Sequence, residues 1–322
     1  MSVPDQLLAL CYHQVSSKSI SHIRHLYPYR TERHFEIELD WLLARFNPVD
    51  LEQVVAWKRA GAVLPKKAVF MSFDDGFREM AEVVAPLCKR KGIPVTFFLT
   101  TNFLDNQNLG YRHKASLLVE HLSEISEARR REMIARVILR HQLKQLTIDK
   151  HFPLSLDYNQ TAILDDLATA IDLDFEDYLH AERPYLSHQQ VQELLRGGFT
   201  IGAHSLDHPP FNFIPLREQI RQTSESIEFL QRKFGMKRRV FAFPFVSDGV
   251  ANEFYQRVFD RNIAETIFCI GAMPQNHQWP LVRRVPVEGR SNDPLWQIVR
   301  GQQKRHWKTR ILRLLTRFRR LS

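Results

Sequence analysis

The chain has 322 residues, 44% hydrophobic and 25% charged, a balance that belongs to an ordinary globular protein and not to a disordered or fibrous one. Its formal net charge of +9 sits largely at one end, where residues 301–322 carry eight Lys or Arg and no acid, so the pI of about 9.6 describes an appendage on a nearly neutral body. Three cysteines (Cys11, Cys88, Cys269), far apart and without C-x-x-C spacing, argue against a disulfide framework or a thiolate metal site, and no apolar run reaches the roughly 18 residues of a membrane span.

In chain order, Met1 to Gln6 lacks a basic leader and Leu7 to Cys11 is too short for a signal core, so a cytoplasmic protein is expected. Leu7 to Tyr12 reads as a first, central strand with His13 just past its end. Phe35, Leu39, Leu42, Leu43 and Phe46 recur at helical spacing, and Pro48-Val49-Asp50 leads into a shorter helix. Ala68 to Phe73 is a buried strand. A helix from about Arg78 to Lys91 follows, closed by Gly92, and then the strand Val95 to Leu99. The rhythm breaks between about 105 and 184, a segment rich in Leu, Glu, Arg and Gln that includes the charged helical run Glu127 to Lys144. This reads as a helical insertion on the active-site face, either a lid or an ornament.

Ser187 and Gln190 form a capping box opening the next helix, which ends at Gly197-Gly198. Phe199 to Ala203 is a strand, Leu216 to Phe234 a helix ending at Gly235, and Val240 to Phe243 a strand ending at Pro244. Strands near Ile263 to Cys269 and Val282 to Val287 complete the set. Strand, helix, strand at this spacing implies parallel pairing with right-handed crossovers. The expectation is an α/β fold: a distorted TIM-like barrel of about seven parallel strands over residues 1–300, with a basic amphipathic helix over 301–322.

Two places carry chemistry. Met71-Ser72-Phe73-Asp74-Asp75-Gly76 puts adjacent carboxylates at a strand end, where two like charges raise the pKa of one unless a cation intervenes. His204 and His208, four apart after another strand, bring two imidazoles to one side of a helical or tight-turn backbone. Two imidazoles plus one carboxylate make a three-ligand site with open positions, suited to Zn, Co, Ni or Fe, and a second carboxylate is left to accept a proton.

Ser72-Phe73-Asp74-Asp75-Gly76 followed by His204-Ser205-x-x-His208 resembles the polysaccharide deacetylase family, the NodB-type carbohydrate esterases. Tyr12-His13-Gln14-Val15 looks like the "YHxV" of its surface-polysaccharide branch, Gly92 to Leu99 like its second βα unit, Phe241 to Phe245 like its "FAYPYG" and Arg284 to Val287 like its "RIPV". The likeness spans nearly all of the chain outside the insertion and the basic tail. It implies a general base at Asp74, metal ligands at Asp75, His204 and His208, an oxyanion donor in the Phe245 backbone N–H, and Arg284 (Arg283 being the competitor) orienting Asp74. Phe245 and Val246 stand where the family has Tyr and Gly, and the family's late Leu-x-Leu-His has no match, leaving His13 or His277 as general acid.

The function these residues imply is hydrolysis of an N-acetyl, or formyl, group from an amino sugar of a glycan or a lipid-linked glycan precursor. The alternative is a catalytically silent glycan-binding module that keeps the metal pocket. Trp307, Ile311, Leu312, Leu314, Leu315 and Phe318 among the arginines of the tail point to contact with a membrane surface, and no motif supports specific nucleic-acid binding.

Overall fold

In the computed structural model, which describes residues 7–144, 148–274, 278–288 and 293–301, strands and helices alternate around one nearly closed parallel sheet. In chain order these are β1 (Leu7–Tyr12), α1 (Glu32–Leu43), β2 (Asn47–Pro48), α2 (Leu51–Ala60), β3 (Ala68–Phe73), α3 (Ala85–Lys91) and β4 (Val95–Leu99). The insertion holds α4 (Tyr111–Glu124), α5 (Glu127–Arg140), α6 (Thr161–Ala170) and α7 (Phe175–Glu182). Then come α8 (His188–Arg196), β5 (Thr200–Ala203), α9 (Leu216–Phe234), β6 (Val240–Ala242), α10 (Asn252–Asp260), β7 (Thr266–Cys269), β8 (Leu281–Arg283) and β9 (Val285–Pro286). Residues 295–301 are helical. The rest of the expected basic helix, and His277, lie outside the described residues.

Among the described residues the named strands all pair in parallel, in the order β8-β7-β6-β5-β4-β3-β1-β9, with the short β2 beside the start of β3. β8 and β9 are two halves of one strand interrupted at Arg284: the first half pairs with β7 and the second with β1. The Arg284 N–H still donates to the Cys269 carbonyl at 2.7 Å, whereas the Val287 N–H donates to the Cys11 carbonyl at 2.9 Å. The sheet therefore returns to its own beginning, and the expected seven-strand barrel is present with one broken stave.

Side-chain alternation along each strand builds two layers. Leu10, Tyr12, Met71, Phe73, Phe97 and Leu99 face outward into the helix layer, where they meet Phe35, Leu39, Val191 and Leu230. Ala9, Phe70, Phe98, Val240, Phe268 and Val282 fill the interior, and Val54 and Val55 of α2 belong to the same cluster. Local rules place the helix ends. Asp50 and Ser187 each make the reciprocal cap, and Gly92 and Gly235 adopt the left-handed conformation that ends α3 and α9.

The insertion carries a small core of its own, built from Leu118, Leu122, Ile134, Val137, Leu164 and Leu167. Its C-terminal end is tied to the acidic turn: the Leu186 N–H donates to the Gly76 carbonyl at 2.9 Å, and the Arg78 N–H to the Pro184 carbonyl at 2.9 Å. The helical run expected to reach Lys144 stops at Arg140, because the chain turns through a left-handed Gln142.

Interior packing depends on one missing side chain. A Cβ at Gly202 would lie 2.5 Å from Cε1 of Phe98 and 2.9 Å from Cγ2 of Val240. Overpacking of this kind typically costs about 1–3 kcal/mol. Gly202→Ala is expected to lower the urea midpoint with an unchanged m-value, and an unaltered midpoint would contradict the tight interior described here.

Candidate metal centre and catalytic cleft

Strand register sets the site. Tyr12 pairs with Phe73 and Leu99 with Ala203, so His13 and Asp74 emerge side by side at the C-terminal rim of the barrel, and His204 emerges next to Thr100. That rim is where barrels of this type carry their sites.

Asp74 is buried, and its neutralisation explains how the interior accepts it. Arg284, also buried, donates from Nη1 to Oδ1 at 2.5 Å and from Nη2 to Oδ2 at 2.7 Å. The guanidinium lies 5.1 Å from the centre of the Phe98 ring, and Nη1 also reaches the Ser72 hydroxyl at 3.1 Å. Burial alone would raise the Asp74 carboxyl, but the charge and hydrogen bonds of Arg284, together with the charges of His204 and His13, outweigh it and hold the group below the usual carboxylate range. Of the two candidate arginines, Arg284 enters the barrel, while Arg283 stays exposed and caps the Gly271 carbonyl.

Asp75 is turned away from its neighbour by a left-handed backbone, φ 77°. Its Oδ1 lies 3.0 Å from Nε2 of His208 and 3.4 Å from Nε2 of His204. His204 donates from Nδ1 to the Ala242 carbonyl at 2.9 Å, which leaves the Nε2 lone pair facing the same space. Asp75 Oδ1 and His204 Nε2 are buried without a hydrogen-bond partner, and the three ligand atoms lie within 4.8 Å of one another. Two unpaired buried acceptors converging with the His208 imidazole are costly unless a cation joins them, so the donor set fits one divalent ion.

A second grouping, Cys11, His13 and Asp74, is equally close but does not fit a metal. Its carboxylate is taken by Arg284 and accepts from the Cys11 thiol at 3.3 Å, while the His13 ring is turned to another acid. Burial raises the Cys11 thiol well above its ordinary range.

That other acid is Glu288, a buried residue the sequence reading passed over. One carboxylate oxygen accepts from the backbone N–H of His13 at 2.7 Å and of Gln14 at 3.2 Å; the other lies 3.1 Å from His13 Nδ1. Burial lowers the His13 pKa, but Glu288, Asp75 and Asp74 together raise it to about 9. The clue in the sequence was a lone acid just past the last strand, where Asp74 sits relative to β3.

A cavity of about 370 Å³ opens over Asp75 and His208, lined by His13, Tyr27, Glu288 and Phe245. Gly110 to His113, the first turn of α4, form its far wall, so the insertion is neither detached ornament nor simple lid but one side of the cleft. His113 is buried against the Tyr185 hydroxyl at 2.6 Å, and burial drops its pKa to about 4, keeping it neutral. The Tyr27 hydroxyl faces the cavity without a protein partner. Trp279, weighed as a sugar platform from sequence, stacks on Tyr255 at 5.2 Å next to β8 and is not among the residues lining the cleft.

Residues 61–259 match the family model described as polysaccharide deacetylase. Over 121 residues the chain is 30% identical to the poly-beta-1,6-N-acetyl-D-glucosamine N-deacetylase of Staphylococcus epidermidis, an alignment covering 34% of this chain and 40% of that protein. The chain thus spans less than half the length of that curated relative. Among solved structures it resembles the Streptococcus pyogenes deacetylase PplD in complex with acetate (TM-score 0.57, 13% identity, 91% of this chain and 96% of that one). It also resembles IcaB from Ammonifex degensii (TM-score 0.54, 19% identity, 88% and 92%). At these identities the structural likenesses establish the barrel and nothing finer.

The His13–Glu288 pair gives a signed pH dependence. A histidine raised from 6.5 to about 9 contributes stability that is complete below pH 6.5 and is lost as pH rises through 9. Glu288→Gln is expected to bring the His13 pKa, followed by its Cε1 proton resonance, down toward 6.5 and to flatten the loss of unfolding free energy between pH 6.5 and 9. A His13 resonance that titrates unchanged in the variant contradicts the pairing.

Proposed function

This chain belongs to the polysaccharide deacetylase family, and from that premise we propose that it is a metal-dependent hydrolase removing N-acetyl groups from an amino sugar of a glycan. The observation that carries the reading is the convergence of Asp75, His204 and His208 on one space with Asp74 beside it, 3.7 Å from His204 Nε2. A divalent ion held by those three would supply Lewis acidity and bring a bound water's pKa from 15.7 to about 7. Two imidazoles and a carboxylate suit Zn, with Co, Ni or Fe as alternatives.

Asp74, held ionised by Arg284, accepts the proton of the attacking water as it adds to the acetamide carbonyl carbon. The backbone N–H of Phe245, on a residue with φ 56°, is proposed to meet the developing oxyanion. His13, protonated through Glu288, then delivers a proton to the amine nitrogen as the C–N bond breaks, releasing acetate and a free amino sugar. Among the described residues, His13 is the candidate histidine lining the cleft. A base and an acid both held in their working protonation states favour an enzyme over a silent binding module.

Acetate release from N-acetylated oligosaccharides should fall to background on chelation and return with Zn or Co. Asp74→Asn should lose at least a hundredfold in kcat while still binding metal, since general-base catalysis typically contributes about 10²–10⁴-fold. Metal-independent release, or full activity in Asp74→Asn, would overturn the reading.

We also propose a peripheral position at the anionic inner face of a membrane, through residues 301–322. What supports it is charge: eight cations without an acid in that segment, and Arg45, Lys67 and Arg300 around a groove lined by Trp41, Phe46 and Trp296 where the segment begins. Among the described residues no helix is long and apolar enough to cross a membrane. The protein should co-sediment with vesicles containing phosphatidylglycerol and not with phosphatidylcholine alone, and deletion of residues 302–322 should abolish this. Equal binding to both vesicle types would exclude the electrostatic mode.

A further inference from the structure

Charge on the barrel body is sorted by end, and the sorting follows the strand direction. The segments that lead into strands, residues 41–67, 89–94, 194–199, 232–239 and 258–265, carry fifteen Lys or Arg and four acids. Those that leave strands at the catalytic rim, residues 13–31, 74–84, 100–110, 204–215 and 243–251, carry four Lys or Arg and seven acids. Because the strands run parallel, the first set lies at one end of the barrel and the second at the other. Part of this has a local cause: cations in the last turn of a helix complement its dipole, as Lys89, Arg90 and Lys91 do in α3. That cause does not reach Lys66, Lys67 and Lys237, which stand beyond helix ends.

Some of these charges are used within the fold. Arg59 and Arg238 share Glu265 at 3.7 and 3.2 Å, and Lys91 pairs with Asp40. Lys66, Lys67, Lys89, Arg90 and Lys237 are exposed and make no ion pair among the described residues. At the same end a groove of about 620 Å³ is edged by Arg45, Lys67 and Arg300 over Trp41, Phe46 and Trp296, with no acid in its lining. Leu43 is 39% exposed and Val63 90% exposed within the same stretch, 41–67. A duplex nucleic acid would draw chiefly on the cations, through its phosphates. Cations mixed with tryptophans and exposed aliphatic side chains suit a surface with anionic head groups over an apolar layer.

Resting on the peripheral-membrane reading, we propose that this strand-entry end is the face that meets the bilayer, its partner being anionic phospholipid, and that the cleft opens on the opposite side. Attraction to a charged surface acts within a Debye length, about 8 Å at physiological ionic strength, so only the end turned toward the lipid contributes. The acids around the rim disfavour the reverse orientation. Lys67 and Asp74 flank one strand, β3, and at roughly 3.3 Å per residue that strand holds the metal centre about 20 Å above the cationic end. The amino sugar then reaches the cleft from the aqueous side. It belongs to a glycan that extends well clear of the bilayer, and a sugar joined directly to a lipid head group in that leaflet stays out of reach.

The test uses the full chain on phosphatidylglycerol vesicles. Cys11, Cys88 and Cys269 are buried, so a cysteine introduced on the surface takes a fluorescent label alone. A label at Ala62→Cys, on the strand-entry end, should be quenched by a nitroxide on the lipid head groups, and one at Asn108→Cys, on the rim, should not. Lys66→Glu, Lys89→Glu and Lys237→Glu together should weaken vesicle partition about a hundredfold, whereas Lys18→Glu, Arg33→Glu and Arg129→Glu together should leave it within about threefold. Quenching at residue 108 that equals or exceeds that at 62, or equal loss in both triple variants, overturns the orientation. If Arg310→Gln, Arg313→Gln and Arg317→Gln together release the protein and the Lys66, Lys89 and Lys237 variant does not, the tail binds lipid and the proposed face is wrong. If the reverse holds, the face stands and the assignment to the tail fails. Wild type that binds no anionic vesicle, whether or not it binds duplex DNA, overturns both.

Discussion

A guanidinium inside the barrel is the constraint on which the rest of the rim depends. Arg284 and Asp74 are both buried, joined by two hydrogen bonds, and stacked against Phe98 in a space otherwise filled by hydrocarbon. Such a pair is weak evidence for stability, because desolvation offsets much of the attraction. Its value lies in what would follow without it. Removing either partner leaves an uncompensated buried charge, at a cost of about 3–5 kcal/mol. The pairing also fixes the protonation state of one carboxylate and leaves the adjacent Asp75, turned the other way, to face the imidazoles.

Backbone strain at the cleft points in the same direction. Asp75, Ser205, His208 and Phe245 all adopt positive φ without being glycine. Such conformations typically cost about 1–3 kcal/mol each and persist only where the surroundings over-determine them. Here the surroundings are visible: His208 N–H donates to the Ser205 hydroxyl at 3.0 Å, and the Leu206 and Asp207 N–H groups share the buried Gln222 side-chain oxygen at 2.9 and 3.1 Å. The two imidazoles are thus brought together by a strained turn, and no helical four-residue spacing is involved.

Much of this was legible in the sequence because the signals are local. Apolar runs of strand length, the caps at Asp50 and Ser187, and the glycines at 92 and 235 each report on their own neighbourhood. The acidic pair and the His-x-x-x-His stood out for the same reason, being polar groups at strand ends. What was not legible is pairwise and distant. Glu288 is an unremarkable acid until closure of the barrel sets it 275 positions away against His13. Tyr111 is lost in a segment read as a helical insertion, lid or ornament, and only the fold shows that the first turn of α4 walls the cleft. Arg284 was preferred to Arg283 on the family resemblance alone, since nothing in the chain announces where a strand will break.

That break links the two halves of the proposed chemistry. An unbroken last strand would alternate its side chains strictly along its length. By passing from β7 to β1 at residue 284, the backbone closes the sheet and sends one side chain into the interior, to Asp74. Four residues later the same segment, now hydrogen-bonded to β1, delivers Glu288 to the residue that follows β1, His13. Base and acid therefore owe their opposite protonation states, one carboxyl held down and one imidazole held up, to a single local departure from strand geometry. A barrel that closed elsewhere would have to find those two partners separately.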